Sequence, residues 1–513
     1  MGDFQTPKSL TDKICSFLYN NGCSPTILLE PSCGIGNFVL SALKYFPDLK
    51  YIYSIEIQEK YVSQFKINIA NFLEKNDNKI KINIFHDNFF KHKFRQKFLE
   101  ILSNGNEKLL ILGNPPWITN SELSVMNSSN LPKKRNIKKF EGINALTGAS
   151  NFDIAEYFIY ALIKRFSFRE GKIAILCKTI VPRNIIKDKG KLGIKISNMR
   201  IYTIDSLKEF SISADACLFI ADFGKKTENI CQIYSFYNPK NRIKSIGWIG
   251  TNFVSDIEKY KELECLEGNS TFVWRQGVKH DAKKIFILKK IDGYFYVNGY
   301  NEKFELENDL LYPFLKGSEL RNYVAKPNNT YIIITQKELG QDTSYIKKEF
   351  PKIWNYLELY KDRLRKRKSK IYDNKPPFSI FGIGNYSFKP YKIGIAGFYK
   401  EPIFSLILPV DGKPVMLDDT CYQISFDNLK DAFFTWIIYN SKQVKEFLLS
   451  ITFTDSKRPF TKRNLMRVNI SSLLKNLDFN EIKEFYDKQL KKYFIYEFSE
   501  SDFNEYKNRY NFI

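Results

Sequence analysis

The sequence has few histidines, no closely spaced cysteine pair and no long apolar run. Its three histidines (His86, His92 and His280) argue against chemistry built on a histidine cluster. The eight cysteines include no C-x-x-C pair, so we predict free thiols in a reducing compartment and no zinc site or disulfide framework. No stretch approaches the roughly 18 apolar residues of a membrane-spanning helix, and the N-terminus lacks the basic and apolar segments of a secretion signal. A cytoplasmic protein without a metal site is therefore predicted.

Positive charge, by contrast, is present in excess. The chain of 513 residues has 79 Lys plus Arg against 56 Asp plus Glu, a formal net charge of +23. This excess indicates a polyanionic partner, because Lys and Arg displace the counterions condensed on phosphates. A Lys-, Ile- and Asn-rich composition, as encoded by an AT-rich genome, produces the same excess, so charge alone does not decide.

The pattern of apolar residues changes along the chain and divides it into two predicted domains. In the first half, short apolar strands alternate with helical stretches, which predicts a parallel, doubly wound α/β sheet. Irregular strands, aromatic turns and basic helices follow, so we predict a division into residues 1–240 and 241–513. The predicted strands are residues 26–30, 50–57, 81–85, 108–112 and 172–177, and the predicted helices are residues 37–45 and 154–166.

A glycine-containing loop, Glu30-Pro31-Ser32-Cys33-Gly34-Ile35-Gly36, follows the first predicted strand. Glycines let the backbone approach a ligand closely, and the helix after the loop offers free N–H groups. The loop is neither a full dinucleotide-binding fingerprint nor a P-loop, which makes ATP a poor candidate ligand. Glu56, 22 positions after Gly34, has the spacing of a carboxylate that binds ribose hydroxyls. An ordinary strand–helix turn with an exposed glutamate explains these residues equally well.

A second loop, Asn114-Pro115-Pro116-Trp117, follows the fourth predicted strand. Prolines stiffen the backbone, so the Asn114 side-chain oxygen and the Pro115 carbonyl can face one small target. The ring of Trp117 offers a stacking plane beside them. This combination fits a planar base that carries an exocyclic amino group.

These loops, together with Glu56 and with Asp87 in His86-Asp87-Asn88-Phe89-Phe90, resemble the S-adenosylmethionine-dependent DNA adenine-N6 methyltransferases. Asp3-Phe4-Gln5-Thr6-Pro7 resembles the motif that the gamma class, with its TaqI-like enzymes, places ahead of the glycine loop. The resemblance implies a Rossmann-like methyltransferase fold with a mostly parallel seven-stranded sheet. It also implies a C-terminal α+β target-recognition domain, and a DNA-sized cleft between the two domains.

The resemblance also implies a role for each matching residue. Thr6 and Pro7 would close over the methionine end of the cofactor, Glu56 would bind its ribose, and Ile57 and Asp87 would meet its adenine. Trp117 and Phe210 would pack on the two faces of the target base. The implied cofactor-binding residues are Thr6, Pro7, Glu30, Cys33, Gly34, Gly36, Glu56, Ile57 and Asp87, and the implied catalytic residues are Asn114, Pro115, Trp117 and Phe210.

Basic residues in three other segments are candidates for contact with DNA. A solvated loop or helix face is the competing interpretation of each of them. The candidates are Lys133, Lys134, Arg135, Arg275, Arg363, Arg365 and Arg367.

The function implied is site-specific methyl transfer from S-adenosylmethionine to N6 of an adenine flipped out of duplex DNA. The chain would be the modification enzyme of a restriction–modification system, and it would be a monomer. A cognate nuclease would act on the same DNA site without forming a stable complex with this enzyme. Rival enzymatic functions are methyl transfer to RNA, to a protein glutamine or to cytosine N4. A non-enzymatic rival is a DNA-binding module with an inactive methyltransferase fold.

Overall fold

A computed structural model describes residues 5–74, 80–103, 105–117 and 153–510. Two compact units make up the chain, Met1–Ile257 and Glu258–Ile513. The division lies later than the expected one after residue 240, because two strands (Asn238–Ile249 and Asn252–Val254) still belong to the sheet of the first unit.

One sheet organises the first unit. Its described strands are β1 (Ile27–Glu30), β2 (Tyr51–Glu56), β3 (Lys81–His86), β4 (Leu109–Gly113), β5 (Gly171–Lys178), β6 (Ile196–Asp205), β7 (Asp215–Phe223), β8 (Ile230–Ser235), β9 (Asn238–Ile249) and β10 (Asn252–Val254). They lie in the order β10-β9-β8-β6-β7-β5-β4-β1-β2-β3. The run from β3 to β5 is parallel, whereas β7 is antiparallel to both β5 and β6. In place of the seven strands expected, the described sheet has ten, because β8, β9 and β10 extend it beyond β6.

Helices cover both faces of this sheet. The described helices are α1 (Lys8–Asn20), α2 (Asn37–Tyr45), α3 (Glu59–Leu73), α4 (Gln96–Ser103), α5 (Ile154–Arg165), α6 (Ile180–Leu192) and α7 (Ser206–Phe210). Successive side chains of a strand point to opposite faces. Leu28 of β1 shares a core with Ile14 of α1 and Phe65 of α3, whereas Tyr53 of β2 stacks on Phe98 of α4 (4.2 Å between ring centroids). None of the described helices is long and apolar enough to cross a membrane.

The second unit, described from residue 258 to residue 510, contains two smaller sheets. Its strands are β11 (Arg275–Gln276), β12 (Ile287–Asp292), β13 (Phe295–Val297), β14 (Lys303–Glu305), β15 (Leu311–Leu315), β16 (Thr330–Ile333), β17 (Tyr391–Ala396), β18 (Ser405–Ile407), β19 (Met416–Leu417) and β20 (Cys421–Phe426). Their orders are β14-β13-β12-β16-β15-β19 and β11-β20-β17-β18. Neighbouring strands are antiparallel except β15 and β19, which are parallel. These sheets are therefore mainly antiparallel, unlike the parallel run from β3 to β5 in the first unit.

The helices of this part of the chain include one that is almost entirely buried. They are α8 (Ile257–Glu262), α9 (Lys283–Phe286), α10 (Tyr345–Glu349), α11 (Pro351–Leu359), α12 (Lys361–Arg365), α13 (Leu429–Asn440), α14 (Lys442–Ser450), α15 (Lys462–Leu465), α16 (Ser471–Asn476), α17 (Phe479–Phe485) and α18 (Glu500–Tyr510). Short 3₁₀ or π turns occupy Glu264–Leu266, Gly317–Glu319, Lys370–Tyr372, Asn385–Phe388 and Tyr486–Leu490. Every side chain of α13 from Asp431 to Asn440 is buried, so this apolar run is a core helix.

Candidate functional site

A cavity of about 390 Å³ lies at the carboxyl ends of β1, β2 and β4. The strand order reverses at β1, and ligands of open α/β sheets bind at such reversals. The predicted residues that line the cavity are Thr6, Glu30, Cys33, Gly34, Glu56, Ile57, Asp87, Asn114, Pro115 and Trp117. Pro7, Gly36 and Phe210 lie outside this lining. Pro7 directly precedes α1, Gly36 lies against the ring of Phe65, and Phe210 lies against the ring of Trp117.

Two glycines fix the shape of the loop after β1. Gly34 has φ +52°, and a Cβ atom there would lie 2.2 Å from Oε1 of Gln5. Gly36 has φ +88°, and its Cβ atom would lie 2.1 Å from the ring of Phe65 on α3. The positive φ favours glycine at both positions, and at Gly36 the ring of Phe65 also leaves no space for a side chain. Gly36 lets α2 begin close to α3, and Gly34 brings the backbone to the cavity wall.

Glu56, at the end of β2, binds this loop directly. Its Oε2 accepts the N–H of Gly34 at 2.8 Å, and its Oε1 accepts the N–H of Gln58 at 2.8 Å. Gln5 holds the loop from the other side, since its Oε1 accepts the N–H of Ile35 at 3.1 Å. The predicted ribose-binding acid thus also holds the glycine loop in place.

Glu30, at the end of β1, is 1% exposed, and its Oε2 has no hydrogen-bond partner among the described residues. Burial, and then the neighbouring carboxylate of Glu56, raise the pKa of Glu30 well above its usual value. Both effects disfavour the charged form. Glu30 is therefore a buried acid with unused hydrogen-bonding capacity on the cavity wall.

Asp87 follows β3 and is held by two residues that sequence reasoning missed. Its Oδ2 lies 2.7 Å from Nδ1 of His92, and Nε2 of that histidine lies 2.8 Å from the hydroxyl of Tyr53. The other oxygen, Oδ1, accepts the N–H of Asn88 at 2.7 Å. The scarcity of histidine in the sequence is the signal that could have drawn attention to His92.

The two phenylalanines after Asp87 both reach the cavity and pack on the same ring. Phe89 stacks on Phe158 of α5 (centroids 4.6 Å apart, planes at 14°), and Phe90 meets Phe158 edge-on (4.6 Å, 62°). All three line the cavity. They give its Asp87 side an apolar wall suited to a planar ring.

Asn114, directly after β4, has a fixed amide with one atom unused. Its Nδ2 donates to Oγ1 of Thr6 at 3.1 Å, and Asn37 of α2 donates to the carbonyl oxygen of Thr6 at 2.8 Å. The Oδ1 atom of Asn114 is buried and has no partner among the described residues. Thr6 thus orients Asn114 and leaves its oxygen available as an acceptor.

The aromatic rings of Trp117 and Phe210 pack against each other. Their centroids are 5.3 Å apart with planes at 66°, and Nε1 of Trp117 donates to the carbonyl oxygen of Leu176 at 3.4 Å. Because the rings meet edge-on, no planar base fits between them in this arrangement.

Lys178, at the end of β5, is a second functional candidate that the sequence did not reveal. Its Nζ donates to the carbonyl oxygen of Trp117 and to Oδ2 of Asp153, both at 3.0 Å. Oδ1 of Asp153 accepts the N–H of Ala155 and caps α5. Lys178 therefore connects the loop after β4 to the start of α5.

The basic candidates for DNA contact fall into three groups. Lys133, Lys134 and Arg135 lie outside the described residues, as do Asp3 and Phe4 of the opening motif.

The candidates in the second unit differ in orientation. Arg275 and Arg365 are exposed, and the guanidinium of Arg363 lies 4.4 Å from the ring centroid of Tyr300. Arg367 instead donates to the carbonyl oxygens of His280 (3.1 Å) and Ser379 (2.8 Å), and burial lowers its pKa. The structure thus gives Arg367 an internal bracing role that the sequence interpretation did not foresee.

The chain is 37% identical over 476 residues to the type II methyltransferase M.NspV of Nostoc sp., which covers 92% of this chain and 97% of that protein. No protein-family model matches the chain. Among solved structures it resembles the type IIG restriction endonuclease BpuSI (TM-score 0.37, 12% identity, 100% of this chain and 65% of that one). It also resembles the modification subunit of a putative type I restriction enzyme from Vibrio vulnificus (TM-score 0.31, 16% identity), of which it spans about half (52% of each chain). At these TM-scores the structural likeness carries no further conclusion.

Identity at this level, over almost the whole of both sequences, makes the protein a methyltransferase. Within that class, the chain belongs to the type II methyltransferase family. The expected membership among methyltransferases is confirmed.

Proposed function

We propose that the chain is a gamma-class DNA methyltransferase that transfers a methyl group from S-adenosylmethionine to N6 of adenine within a specific duplex sequence. Membership of the type II family supports methyl transfer, and the restriction–modification role follows from the kind of system in which such enzymes act. The first unit would carry the chemistry, and the second would recognise the target.

The observation that carries the choice of an amino-group target is the unused oxygen of Asn114. A buried acceptor without a partner costs about 1–3 kcal/mol, so a protein keeps one where a ligand will supply the donor. Oδ1 is the free atom because the amide nitrogen is engaged by Thr6. Pro115, the next residue, lines the same cavity, and its carbonyl oxygen would be the second acceptor. A target nitrogen with two N–H bonds fits this pair.

The residues around the cavity fit the cofactor. Glu56 offers a carboxylate to ribose hydroxyls, and Asp87 offers one to an adenine amino group. Phe89 and Phe90 supply the apolar wall for the ring. When bound, S-adenosylmethionine supplies an electrophilic methyl group on a positively charged sulfur.

The protein's part in the reaction is positioning and electrostatic stabilisation. An adenine amino group is a weak nucleophile, because its lone pair is delocalised into the ring. By accepting both N–H bonds, Asn114 and Pro115 would draw the nitrogen toward tetrahedral geometry and stabilise the positive charge that develops on it. Neither a strong base nor a metal is required for this step.

The target base would have to leave the duplex, since its amino group is otherwise paired. Trp117 is the stacking platform, and Phe210 the ring on the other face. Because these rings touch each other edge-on, base entry requires one of them to move. Phe210 is the last residue of a short helix of five residues, α7.

A labelled-methyl transfer assay with duplex DNA, RNA and protein offered side by side tests the proposal. Modified-base sequencing of DNA from a methylation-free host that expresses the chain then gives the target base and its sequence context. We expect N6-methyladenine at one recurring sequence. Label in RNA, in protein glutamine or at cytosine N4 would replace the proposal with that rival, and no transfer to any of them would favour an inactive DNA-binding module.

A further inference from the structure

Every titratable residue in the described lining of the cofactor cavity is a carboxylic acid or a thiol. Its titratable lining residues are Glu30, Cys33, Glu56 and Asp87, and the described lining includes no lysine, arginine or histidine. S-adenosylmethionine has a positively charged sulfur and a positively charged amino group at its methionine end. The cavity and this end of the cofactor are therefore complementary in charge.

Among these acids, Glu30 differs in that its buried Oε2 has no hydrogen-bond partner in the described part of the chain. Both oxygens of Glu56 accept backbone N–H groups, and both oxygens of Asp87 have partners. Glu30 is as buried as any of them, and its Oε2 has no partner among the described residues. Burying an ionised carboxylate in this way is costly unless it is paired, so the neutral acid is favoured.

The elements packed around Glu30 add no compensating cation. Glu56, on β2, raises the pKa of Glu30 in addition to burial, and Glu30 in turn raises the pKa of two buried thiols, Cys15 on α1 and Cys33 in the glycine loop. From β4, the backbone of Gly113 packs against its Cγ. Among the described residues, the only charged group that shifts the pKa of Glu30 is thus another acid, which leaves the charge of Glu30 to be balanced by a ligand.

We propose that Glu30 holds a proton while the cavity is free of cofactor, and that it releases this proton when the positively charged methionine end of S-adenosylmethionine binds. The inference rests on the proposed function for the identity of the ligand. The carboxylate formed on Glu30 then serves as the counter-ion of the bound cation, and the proton passes to the solvent.

The coupling has a definite sign. Binding removes a proton from Glu30, so a higher pH favours binding. The Kd for S-adenosylmethionine falls by up to about tenfold per pH unit until Glu30 is already ionised in the empty protein, and is level above that pH. Below the range in which the bound form ionises, binding is weak and again level.

Calorimetric titration of the full-length protein in buffers of different ionisation enthalpy counts the protons released. With S-adenosylmethionine we expect release of a large fraction of one proton by the wild type and by the control Glu100→Gln, which alters an exposed glutamate of α4. Glu30→Gln should release none, and its Kd should lose most of the pH dependence. 5′-Methylthioadenosine, which has no charge at this end, should release none from the wild type.

S-adenosylhomocysteine, which keeps the amino group and lacks the charged sulfur, identifies the partner of Glu30. Release with this ligand assigns the amino group, and release with S-adenosylmethionine alone assigns the sulfonium; both agree with the proposal. Cofactor binding without proton release, or equal release by Glu30→Gln, would overturn it and leave the proposed function intact. No binding of cofactor by the wild type would instead count against the proposed function.

A second measurement covers the case in which Glu30→Gln does not fold. Infrared difference spectra of the wild type should lose the carbonyl band of a protonated carboxylic acid when S-adenosylmethionine is added. An unchanged band in that region would contradict the inference.

Discussion

The two compact units use their charged side chains in different ways. In the first, acids at the ends of neighbouring strands line a cavity whose described wall has no cation, and Glu30 and Glu56 are buried there. In the second, the basic run that begins at Lys361 lies largely at the surface, with Arg363 over a tyrosine ring. Buried charges interact strongly in a low dielectric, whereas exposed charges are screened by water and salt. Substitutions of the buried cavity residues should therefore have large effects, and substitutions of exposed cations in the basic run should have small ones.

The largest effect is expected at Asn114. Asn114→Ala removes the acceptor for the target amino group, so methyl transfer should fall by at least about 100-fold. Cofactor affinity should change little, because Asn114 contacts Thr6 and is not the group expected to bind ribose or adenine. Single-turnover methylation and calorimetric cofactor binding measure the two effects separately.

The matched control for this substitution is Asn20→Ala, at an exposed position near the end of α1. It should leave both methylation and cofactor binding as in the wild type. Full turnover by Asn114→Ala would remove the assignment of Asn114 as the acceptor.

The next largest effect is on the pH dependence of the free energy of unfolding. His280 in the second unit and Glu30 in the first contribute to it with opposite signs. In the second unit, Nδ1 of buried His280 accepts the N–H of Ala282, and burial lowers the pKa of His280 from 6.5 to about 4. The unfolded chain takes up this proton at higher pH than the folded one. The free energy of unfolding should therefore fall between pH 6.5 and about 4, by up to about 3 kcal/mol. Glu30, with its raised pKa, instead lowers stability as the pH rises.

Urea unfolding of the full chain across this pH range measures the effect of His280. His280→Gln should flatten the decline below pH 6.5, whereas His86→Gln, at an exposed position, should not. An unchanged decline in His280→Gln would mean that other groups produce the acid sensitivity.

A smaller effect is expected at Lys178. Lys178→Met removes a donor from the Trp117 carbonyl and the cation from Asp153, which should lower the free energy of unfolding by about 2 kcal/mol. Turnover should fall more than cofactor affinity, because Trp117 is the proposed platform for the target base. A double-mutant cycle with Asp153→Asn tests the contact: the two losses should not add. Strictly additive losses would show that the pair is not coupled.

Much of the first unit could be predicted from the sequence, for a geometric reason. Carboxyl ends of parallel strands meet at one edge of the sheet, so motifs far apart in sequence, such as those at Glu30, Glu56 and Asn114, converge there. The predicted helix at residues 37–45 has the observed bounds, Asn37–Tyr45, because a glycine fixes its start. The extra strands after β7 were missed because they continue the sheet where the apolar pattern becomes irregular.

The supporting contacts could not be predicted, because neither helical nor strand periodicity relates the residues that they join. Lys178 meets Trp117 across 61 residues, and Tyr53 meets His92 across 39. The orientation of the cations in the basic run of the second unit could not be predicted for another reason. Helix α12 ends at Arg365, so helical periodicity no longer tells which of the following cations points inward.

The smallest effects are expected in that run, and one pair of residues makes the sharpest test of the comparison. Arg365 is exposed, whereas Arg367, two positions later, donates to the carbonyl oxygens of His280 and Ser379. If Arg365 contacts a DNA phosphate, Arg365→Gln should reduce the slope of log affinity against log salt concentration by about one and leave stability unchanged. Arg367→Gln should leave the slope unchanged and lower the free energy of unfolding by about 1 kcal/mol.

Salt-dependent DNA binding and urea unfolding of both variants measure these differences. If both variants lose the same amount of salt-dependence slope and neither loses stability, the two arginines have the same role. DNA binding by the second unit would then depend only on its total positive charge. The expected split would instead mean that the second unit, like the first, assigns separate tasks to neighbouring charges. The difference between the units would then be one of burial and energy, since an exposed cation acts through screened attraction and a buried one through the carbonyl groups that it holds.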